Sequence, residues 1–425
     1  MSFALGIVPV VLLLLGFPVF LVMLTAVTVA LVWFMNVPLA ALHQNLFGSV
    51  NAYALLAIPY FIYAGELMGR GSVAQRLVDF VQGGVGFARG SLGVTTVGTA
   101  TIFGAISGVS AAAVATIGKV MYPAMVKAGY PKPFSAGLIT AVGAIDIIIP
   151  PSIPMIVYGA AAQESVPRLY AAGILPGLLI AALIAGYVIW RAWHGNFGAG
   201  EPFNFQRFGR STVRGIWALG APVIILGGIY GGVFSPTEAA AVACIYAVFV
   251  TRFVFHELTI SEIVDAAAAT VRFTAQILII VACAGVFSWL LTVNQVPATL
   301  VAWIQHLNVT AWSFLLVVNV LLLVVGCFLD PLSAILLLTP LLIPVVKALG
   351  IDTVHFGIVV MVNLAIGLFH PPFGINIFVA QSVLGIDLKI LYRGIIPFVF
   401  LYLIALALIT YVPWISLVGV WVLLN

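Results

Sequence analysis

The sequence predicts an all-α polytopic membrane protein, and three observations support that prediction. Of the 425 residues, 64% are hydrophobic and only 7% are charged, whereas a soluble chain carries about 25% charged residues. The mean hydropathy is +1.25. Apolar runs of about 20 residues, each long enough to cross a bilayer of about 30 Å, recur along the chain. No polar stretch is long enough for a separate soluble domain.

The apolar runs define nine full spans and two interrupted regions. The interrupted regions, 91–128 and 311–348, are broken by Gly, Ser and Pro. Each is too short for two helices of about 20 residues and a turn, so we predict two re-entrant helical hairpins. The full spans are expected near 3–34, 51–69, 134–163, 168–193, 213–233, 235–252, 267–292, 353–382 and 391–413.

The distribution of basic residues predicts the orientation in the membrane. With both hairpins re-entrant, fourteen Lys and Arg residues fall on one side and only Arg168 and Lys347 on the other. The Lys/Arg-rich side is cytoplasmic, so the N-terminus is predicted inside and the C-terminus in the periplasm. A single crossing in place of either hairpin would spoil this division, whereas two full spans would preserve it. No Lys or Arg precedes Arg70, which favours a retained first span over a cleaved signal peptide.

Two Pro-Pro pairs interrupt matching spans and indicate an internal duplication. Pro150-Pro151 and Pro371-Pro372 lie 221 residues apart. The predicted topology makes the two copies inverted, and inverted repeats with broken helices are typical of secondary transporters. The same offset aligns Pro123 with Pro344, Gly129 with Gly350, Gly173 with Gly394, and Pro176 with Pro397.

The broken helices suggest what such a site binds. A break frees backbone groups that lipid cannot satisfy, so they must face protein, water or an ion. Free carbonyls suit a hard cation such as Na⁺, and the N-terminal end of a half-helix suits an anion. A packing kink is the alternative, but it explains one proline better than two matching pairs.

Four motifs support a resemblance to a known family. They are FGAISGVSAAAVATIGKVMYPAMVKAGY and IIIPPSIPMIVYGAA in the first half, CFLDPLSAILLLTPLLIPVVKALGID in the second, and SPTEAAAVACIYA between them. These stretches resemble the large membrane subunit of tripartite ATP-independent periplasmic (TRAP) transporters, and the resemblance covers nearly the whole chain.

The resemblance implies an elevator-type carrier of the ion-transporter superfamily, in which a mobile domain holds both hairpins and both broken helices. It also implies Na⁺ as coupling ion, a small organic acid as solute, and two protein partners: a small four-span membrane subunit and a periplasmic substrate-binding protein. The bacterial inner membrane and its lipid would surround it. The expected divisions are an N-terminal scaffold span (1–50), a first repeat (51–193), connecting scaffold spans (194–266), a second repeat (267–413) and a tail (414–425).

Site residues follow from the resemblance by position. The first Na⁺ site would use Ser107, Gly108, Ser110, Gly143, Asp146, Ile149 and Pro150. The second would use Asp330, Gly367, His370 and Pro371. The solute would contact Ser110, Ser152, Ser333 and Asn376.

Three positions depart from the family pattern. Val109 interrupts a Ser-Gly-Ser-Ser tip, Asp146-Ile147 replaces Gly-Pro, and His370 replaces Thr before the second Pro-Pro pair. These changes affect the ion stoichiometry, and they leave open partial coupling to protons because His titrates near neutrality.

Three ionisable residues have alternative interpretations. Asp146 lies deep in a span, where a carboxylate is costly; it could coordinate the cation, pair with a base, or face a hydrated cavity. Asp330 could cap a half-helix or attract the ion. His370 could be a ligand through its carbonyl or ring, or a packed neutral imidazole.

Other residues have simpler interpretations. The cysteines lie in apolar runs without metal or disulfide spacing, so we expect small buried side chains. Glu66 and Glu238 are expected to have packing or pairing roles. A solvated cytoplasmic face meeting anionic lipid is expected for Arg207, Arg210 and Arg214.

Other functions remain as alternatives. A stand-alone Na⁺/dicarboxylate symporter would need no binding protein, and a passive anion channel would need no Na⁺ gradient. An intramembrane aspartyl protease could use Asp146 and Asp330, but neither lies in a Gly-x-Gly-Asp setting. No nucleophile–base set or phosphate loop is present, and GGIYGG lacks the Gly-Lys-Ser/Thr of a nucleotide loop. We therefore expect no enzymatic activity, no organic cofactor and no nucleic-acid partner.

Overall fold

A computed structural model describes residues 6–35, 37–38, 40–198, 200 and 202–424, and the regular structure of these residues is helical throughout. This confirms the all-α prediction. The helices of the first half are α1 (Val8–Leu14), α2 (Val19–Phe34), α3 (Ala40–Val50), α4 (Ala57–Arg70), α5 (Val73–Val85), α6 (Ser91–Ser107), α7 (Ser110–Lys127), α8 (Lys132–Val142), α9 (Ile153–Ala162) and α10 (Val166–Gly195).

The second half is built in the same way. Its helices are α11 (Phe205–Tyr230), α12 (Pro236–Phe249), α13 (Ile260–Val293), α14 (Val296–His306), α15 (Ala311–Gly326), α16 (Pro331–Ala348), α17 (Thr353–Phe369), α18 (Ile375–Leu384), α19 (Leu388–Tyr411) and α20 (Trp414–Leu424). Short 3₁₀ turns lie at Tyr53–Leu56 and Gly143–Ile147, and a π-helical turn at Val250–Val254.

The offset of 221 residues relates the two halves helix by helix. This offset aligns α6 and α7 with α15 and α16, α8 and α9 with α17 and α18, and α10 with α19 in the sequence. The match continues towards the N-terminus, beyond the expected repeat start at residue 51. There α2 falls on α12, and the pair α3–α4, bent by 61°, falls on the continuous α13. Inversion of the two copies across a membrane stays a prediction.

Both predicted hairpins are helical pairs with short tips. The first pair, α6 and α7, turns at Gly108-Val109, where Gly108 has a φ of +60° that favours glycine. The second pair, α15 and α16, turns at 327–330. The four arms contain 16–18 residues, or about 24–27 Å of helix. These lengths lie at the short end of the range of about 17–25 residues that a full crossing needs.

The two repeats interlock through reciprocal packing. Hairpin helix α7 packs on α18, and α16 packs on α9, so each hairpin lies against the broken helix of the other repeat. Helix α19 likewise crosses α8 at two glycines. A Cβ on Gly394 would lie 1.9 Å from the carbonyl oxygen of Pro133, and one on Gly137 would lie 2.1 Å from the oxygen of Gly394. The core shared by the two repeats therefore depends on close contact between the backbones of α8 and α19.

Several sequence predictions need correction. The run 3–34 is not one helix, because Gly16 (φ +79°) and Pro18, which lacks an N–H donor, separate α1 from α2; residues 1–5 lie outside the described part. Within the predicted tail 414–425, residues Trp414–Leu424 form α20, which packs on α10 with Gly419 against the carbonyl of Ala171.

The predicted count of nine full spans exceeds the number of long helices. By length and composition, six helices of the described chain can cross a membrane, or seven if α3–α4 is one span, and one of the six is hairpin arm α16. The difference arises because spans 3–34, 134–163 and 353–382 are divided into shorter helices by their Gly and Pro residues.

We expect Gly394→Ala to destabilise the protein by about 1–3 kcal/mol, because the methyl group must push α19 away from α8. Gly186→Ala is the matched control, since a Cβ on that α10 glycine meets nothing within 4 Å. Thermal unfolding of the detergent-solubilised protein measures both. An unchanged midpoint for Gly394→Ala would contradict the close crossing.

Candidate functional site

A cavity of about 300 Å³ lies where the interlocked elements meet. Its wall combines the first tip (108–111), the second tip (330–332), the ends of both helix breaks and one face of α13. Asp330 is the one charged side chain among the described residues that line it. The predicted meeting of the two interrupted segments is therefore present in the fold.

Four helices begin at this cavity. The first residues of α7, α9, α16 and α18, which are Ser110, Ile153, Pro331 and Ile375, all line it. Each N-terminus carries partial positive charge and unpaired N–H groups. Ser152 and Asp330 cap α9 and α16 with their side chains, whereas α7 and α18 have no side-chain cap. The uncapped ends of α7 and α18 are therefore the available anion-binding groups.

Ser110 and Asn376 connect the first hairpin to both breaks. The hydroxyl of Ser110 donates to the carbonyl of Gly143 at 2.7 Å and accepts from the side-chain amide of Asn376 at 2.8 Å. The same amide lies 3.3 Å from the carbonyl oxygen of Thr140. All these groups are buried. A tip residue of one repeat is thus tied to the broken helix of each repeat.

The predicted first ion site is assembled around this link. A Cβ on Gly108 would lie 3.0 Å from the carbonyl oxygen of Pro151, so the tip rests on the break. Ser107 packs its backbone against Gly65 of α4. The Pro150-Pro151 bond is cis, and the Ile149 side chain packs towards α10. The structure therefore brings the tip, Gly143 and the prolines together, while ion binding there stays a prediction.

Asp146 is placed differently from the rest of that set. It lies in the 3₁₀ turn Gly143–Ile147, is fully buried, and neither of its carboxylate oxygens has a hydrogen-bond partner among the described residues. A Cβ on Gly104 would lie 2.5 Å from its Oδ1 atom, so the carboxylate faces hairpin helix α6. Pairing with a base is therefore not observed in the described chain. Coordination of a cation stays a prediction.

A small cavity of about 60 Å³ marks the predicted second ion site. Asp330 and Gly367 line it together with Gly326, whose carbonyl oxygen would lie 2.5 Å from a Cβ on Gly367. A cavity needs about 10–15 Å³ of such volume to hold one water molecule, so this cavity has room for a small ion. The adjacent Pro371-Pro372 bond is cis, and this break is partly exposed while the first is buried.

His370 has contacts that the sequence did not predict. Its ring Nδ1 lies 3.2 Å from the Sγ atom of Cys327, and its carbonyl accepts from the N–H of Gly374 at 3.2 Å. The ring Nδ1 atom and the carbonyl of His370 thus each have a protein partner. The other two cysteines, Cys244 and Cys283, are buried as expected.

Asp330 caps helix α16. Its Oδ1 atom accepts from the N–H groups of Leu332 and Ser333, each at 3.0 Å, and its Oδ2 atom accepts from the hydroxyl of Ser333 at 2.5 Å. The capping interpretation is therefore confirmed. Attraction of an ion by the same carboxylate stays a prediction.

Two of the four predicted solute contacts lie on the central cavity, and two do not. Ser110 and Asn376 line it. Ser152 donates to the carbonyl of Ile147 at 2.7 Å and caps α9, and Ser333 is bonded to Asp330. Ser152 is the N-cap of α9, a position where serine is favoured. Ser333 lies in the first turn of α16 and hydrogen-bonds the N-cap residue Asp330.

The contribution of α13 to the cavity was not predicted from the sequence. Phe273 and Gln276 line the cavity from this helix, and both side chains are exposed. An amide inside the apolar run of α13 was a detectable signal, because a polar side chain within a span usually faces the protein interior or a cavity.

Together, the interlocked broken helices and the cavity at their centre define the membrane permease of a transporter. Residues 7–415 match the family described as "Tripartite ATP-independent periplasmic transporter, DctM component". The chain is 40% identical to the C4-dicarboxylate TRAP transporter large permease protein DctM of Pseudomonas aeruginosa, over 88% of this chain and 87% of that protein. It is 39% identical to the ectoine TRAP transporter large permease protein TeaC of Halomonas elongata, over 96% of each.

The chain therefore belongs to the DctM family of TRAP transporter large permeases. Its relatives are named as transport permeases, in line with the expected absence of enzymatic activity. The crystal structure of the Alcanivorax borkumensis YdaH transporter has the same fold, with a TM-score of 0.66 over 98% of both chains at 17% identity. As a family member, the chain is a multi-pass membrane protein.

The capping geometry yields a paired prediction. Asp330→Asn should leave stability nearly unchanged, because an asparagine oxygen can accept the same two N–H bonds. Asp330→Ala should cost about 1 kcal/mol, since it removes the cap. Thermal unfolding in detergent compares the two variants. Equal losses for both would show that the charge, and not the cap, stabilises the second tip.

Proposed function

We propose that this permease carries out Na⁺-coupled secondary active uptake of a small organic acid across the bacterial inner membrane. The convergence of four helix N-termini on one cavity is the observation that supports this most strongly. No Lys or Arg is among the described lining residues, so the anionic group of the solute would be held by helix ends and cations.

The solute carboxylate is assigned to the space between the starts of α7 and α18. The uncapped N–H groups there supply donors for it, and Ser110 and Asn376 line the space beside these groups. Gln276 on α13 supplies an amide for the remainder of the solute.

The names of relatives support an acid of small size. They include permeases for C4-dicarboxylate and isethionate, and others for ectoine and 2,3-diketo-L-gulonate. The central cavity, with a volume of about 300 Å³, is a suitable size for one small organic solute of this kind.

Two Na⁺ ions are assigned to the two breaks. The first would bind near Ser107–Ser110 and the carbonyls of the first break, with Asp146 contributing charge from the α6 side. The second would occupy the small cavity beside Asp330 and Gly367. Carbonyls and carboxylates are the oxygen ligands that hard cations prefer.

The transport movement is proposed to be of the elevator type. The hairpins and broken helices pack on one another as one interlocked group, and they contribute all of the cavity wall except α13. Movement of this group past α13 would carry the solute and ions together, while α2, α4 and α11–α13 act as scaffold.

Partners and orientation complete the proposal. The solute would be delivered by a periplasmic binding protein, and a small four-span membrane subunit would join the scaffold, with the N-terminus cytoplasmic and the C-terminus periplasmic. The family is described as a component of a tripartite transporter, which supports two further protein components. One relative, from Oleidesulfovibrio alaskensis, is named DctMQ, is 40% identical, and is covered by this chain over only 60% of its length.

Transport by proteoliposomes tests the proposed function. Vesicles containing this chain and its small subunit should accumulate labelled succinate, isethionate or ectoine only with an inward Na⁺ gradient and a binding protein for that solute. Uptake without the binding protein would favour the stand-alone symporter. Flux that ignores the Na⁺ gradient would favour a passive anion channel.

Asp146→Asn is expected to raise the Na⁺ concentration for half-maximal uptake by about tenfold, because a contact to a charged group is worth about 1.5–3 kcal/mol. Asp265→Asn is the control, since Asp265 is an exposed carboxylate on α13. A wild-type Na⁺ profile for Asp146→Asn would remove Asp146 from the ion site.

A further inference from the structure

A second polar cavity, of about 480 Å³, lies away from the transport site, where α5 packs on α11. Six side chains of the described chain line it: Asp79, Asn204, Arg207, Arg210, Ser211 and Arg214. The sequence predicted that Arg207, Arg210 and Arg214 form a solvated cytoplasmic face that meets anionic lipid. The structure arranges these arginines around a concave site, and the lipid contact stays a prediction.

The two helices that form the cavity, α5 and α11, are tightly packed against each other. A Cβ on Gly83 of α5 would lie 2.5 Å from the hydroxyl of Ser211 and 3.3 Å from the Cα atom of Phe208, so the two helices are in close contact. The rings of Phe80 on α5 and Phe208 on α11 stack with centroids 6.0 Å apart. The side chain of Asn204 accepts the N–H groups of Gln206 and Arg207 and so fixes the start of α11.

The arginines share one stripe of α11. Positions 207, 210 and 214 are separated by three and four residues, a spacing that places side chains on one face of a helix. Arg210 and Arg214 form no ion pair within 4.0 Å in the described residues. Asp79, the one acidic lining residue, instead accepts a hydrogen bond from Gln75 at 2.9 Å. The cavity therefore presents guanidinium groups that match an oxyanion such as phosphate.

The surroundings of the cavity indicate where that phosphate comes from. Helix α11 is long and apolar enough to cross a membrane, and on either side of Arg214 in the sequence it exposes Val213 (71%) and Ile216 (57%). At the other side of the cavity, Phe203 (50%) and Phe205 (79%) are also exposed. Lys and Arg residues at the end of a membrane-spanning helix lie at the membrane–water interface.

We propose that the α5–α11 cavity binds the phosphate headgroup of an anionic phospholipid. Arg210 and Arg214 hold the phosphate oxygens, and an acyl chain lies along Val213 and Ile216. Basic pockets between membrane helices recognise such headgroups through the same chemistry. The site is independent of the transport cavity, and it requires only that the start of α11 lies at one membrane surface.

Native mass spectrometry of the full chain tests this site. The protein is taken from nanodiscs with equal amounts of phosphatidylglycerol and phosphatidylcholine, and the ratio of the two bound lipids is measured. The wild type should favour phosphatidylglycerol. The Arg210→Gln/Arg214→Gln variant should lower the ratio by about fivefold or more, on the scale expected for basic residues at a membrane surface. The control Lys127→Gln/Lys132→Gln removes two exposed charges outside the cavity and should leave the ratio unchanged.

Three results would overturn the proposal. The first is an unchanged ratio in the double arginine variant, and the second is an equal fall in the lysine control. The third is displacement of phosphatidylglycerol by excess inorganic phosphate, which would assign the cavity to a free anion. If the arginine variant fails to fold, Asp79→Asn decides the matter. That change removes the one acidic lining residue, so a raised ratio supports the proposal and an unchanged ratio contradicts it.

Discussion

The fold depends on the pairing of backbone groups that its broken helices leave free inside the membrane. Lipid offers no hydrogen-bond partner, so each break must be completed by another part of the protein or by a bound ion. The Ser110 hydroxyl donates a hydrogen bond to the Gly143 carbonyl, and the side-chain amide of Asn376, from the other repeat, donates to Ser110 and to the Thr140 carbonyl. Neither repeat can form this arrangement alone. The interlocked packing of α7 on α18 and α16 on α9 is the structural consequence.

The repeats share a backbone plan but differ in where they carry charge. The first half has its carboxylate in the break, at Asp146, and the matching position of the second half is Gly367. The second half has its carboxylate at the hairpin tip, at Asp330, and the matching position of the first half is Val109. Each half thus has one acidic group near its break, but on a different element. Gly104 provides the space that Asp146 needs.

The sequence predicted the features that depend on local chemistry and on repetition. The hairpin at 91–128 was predicted almost to the residue, because Gly, Ser and Pro mark its ends and the second copy marks them again. Features that depend on contacts between distant residues were not predictable. Nothing near His370 in the sequence indicates its contact with Cys327, and no local pattern distinguishes the capping serine Ser152 from the cavity-lining Ser110.

The electrostatics of the central cavity connect solute binding to ion binding under the proposed function. Asp330 is the one charged side chain among its described lining residues, and it would repel an acid. A helix N-terminus carries only about half an elementary charge, so a dicarboxylate would gain much of its charge balance from Na⁺ at the two breaks. A fixed arginine could supply that charge instead, but the empty carrier would then hold an unpaired cation inside the membrane, which is costly. Mobile cations avoid this cost because they enter and leave with the solute.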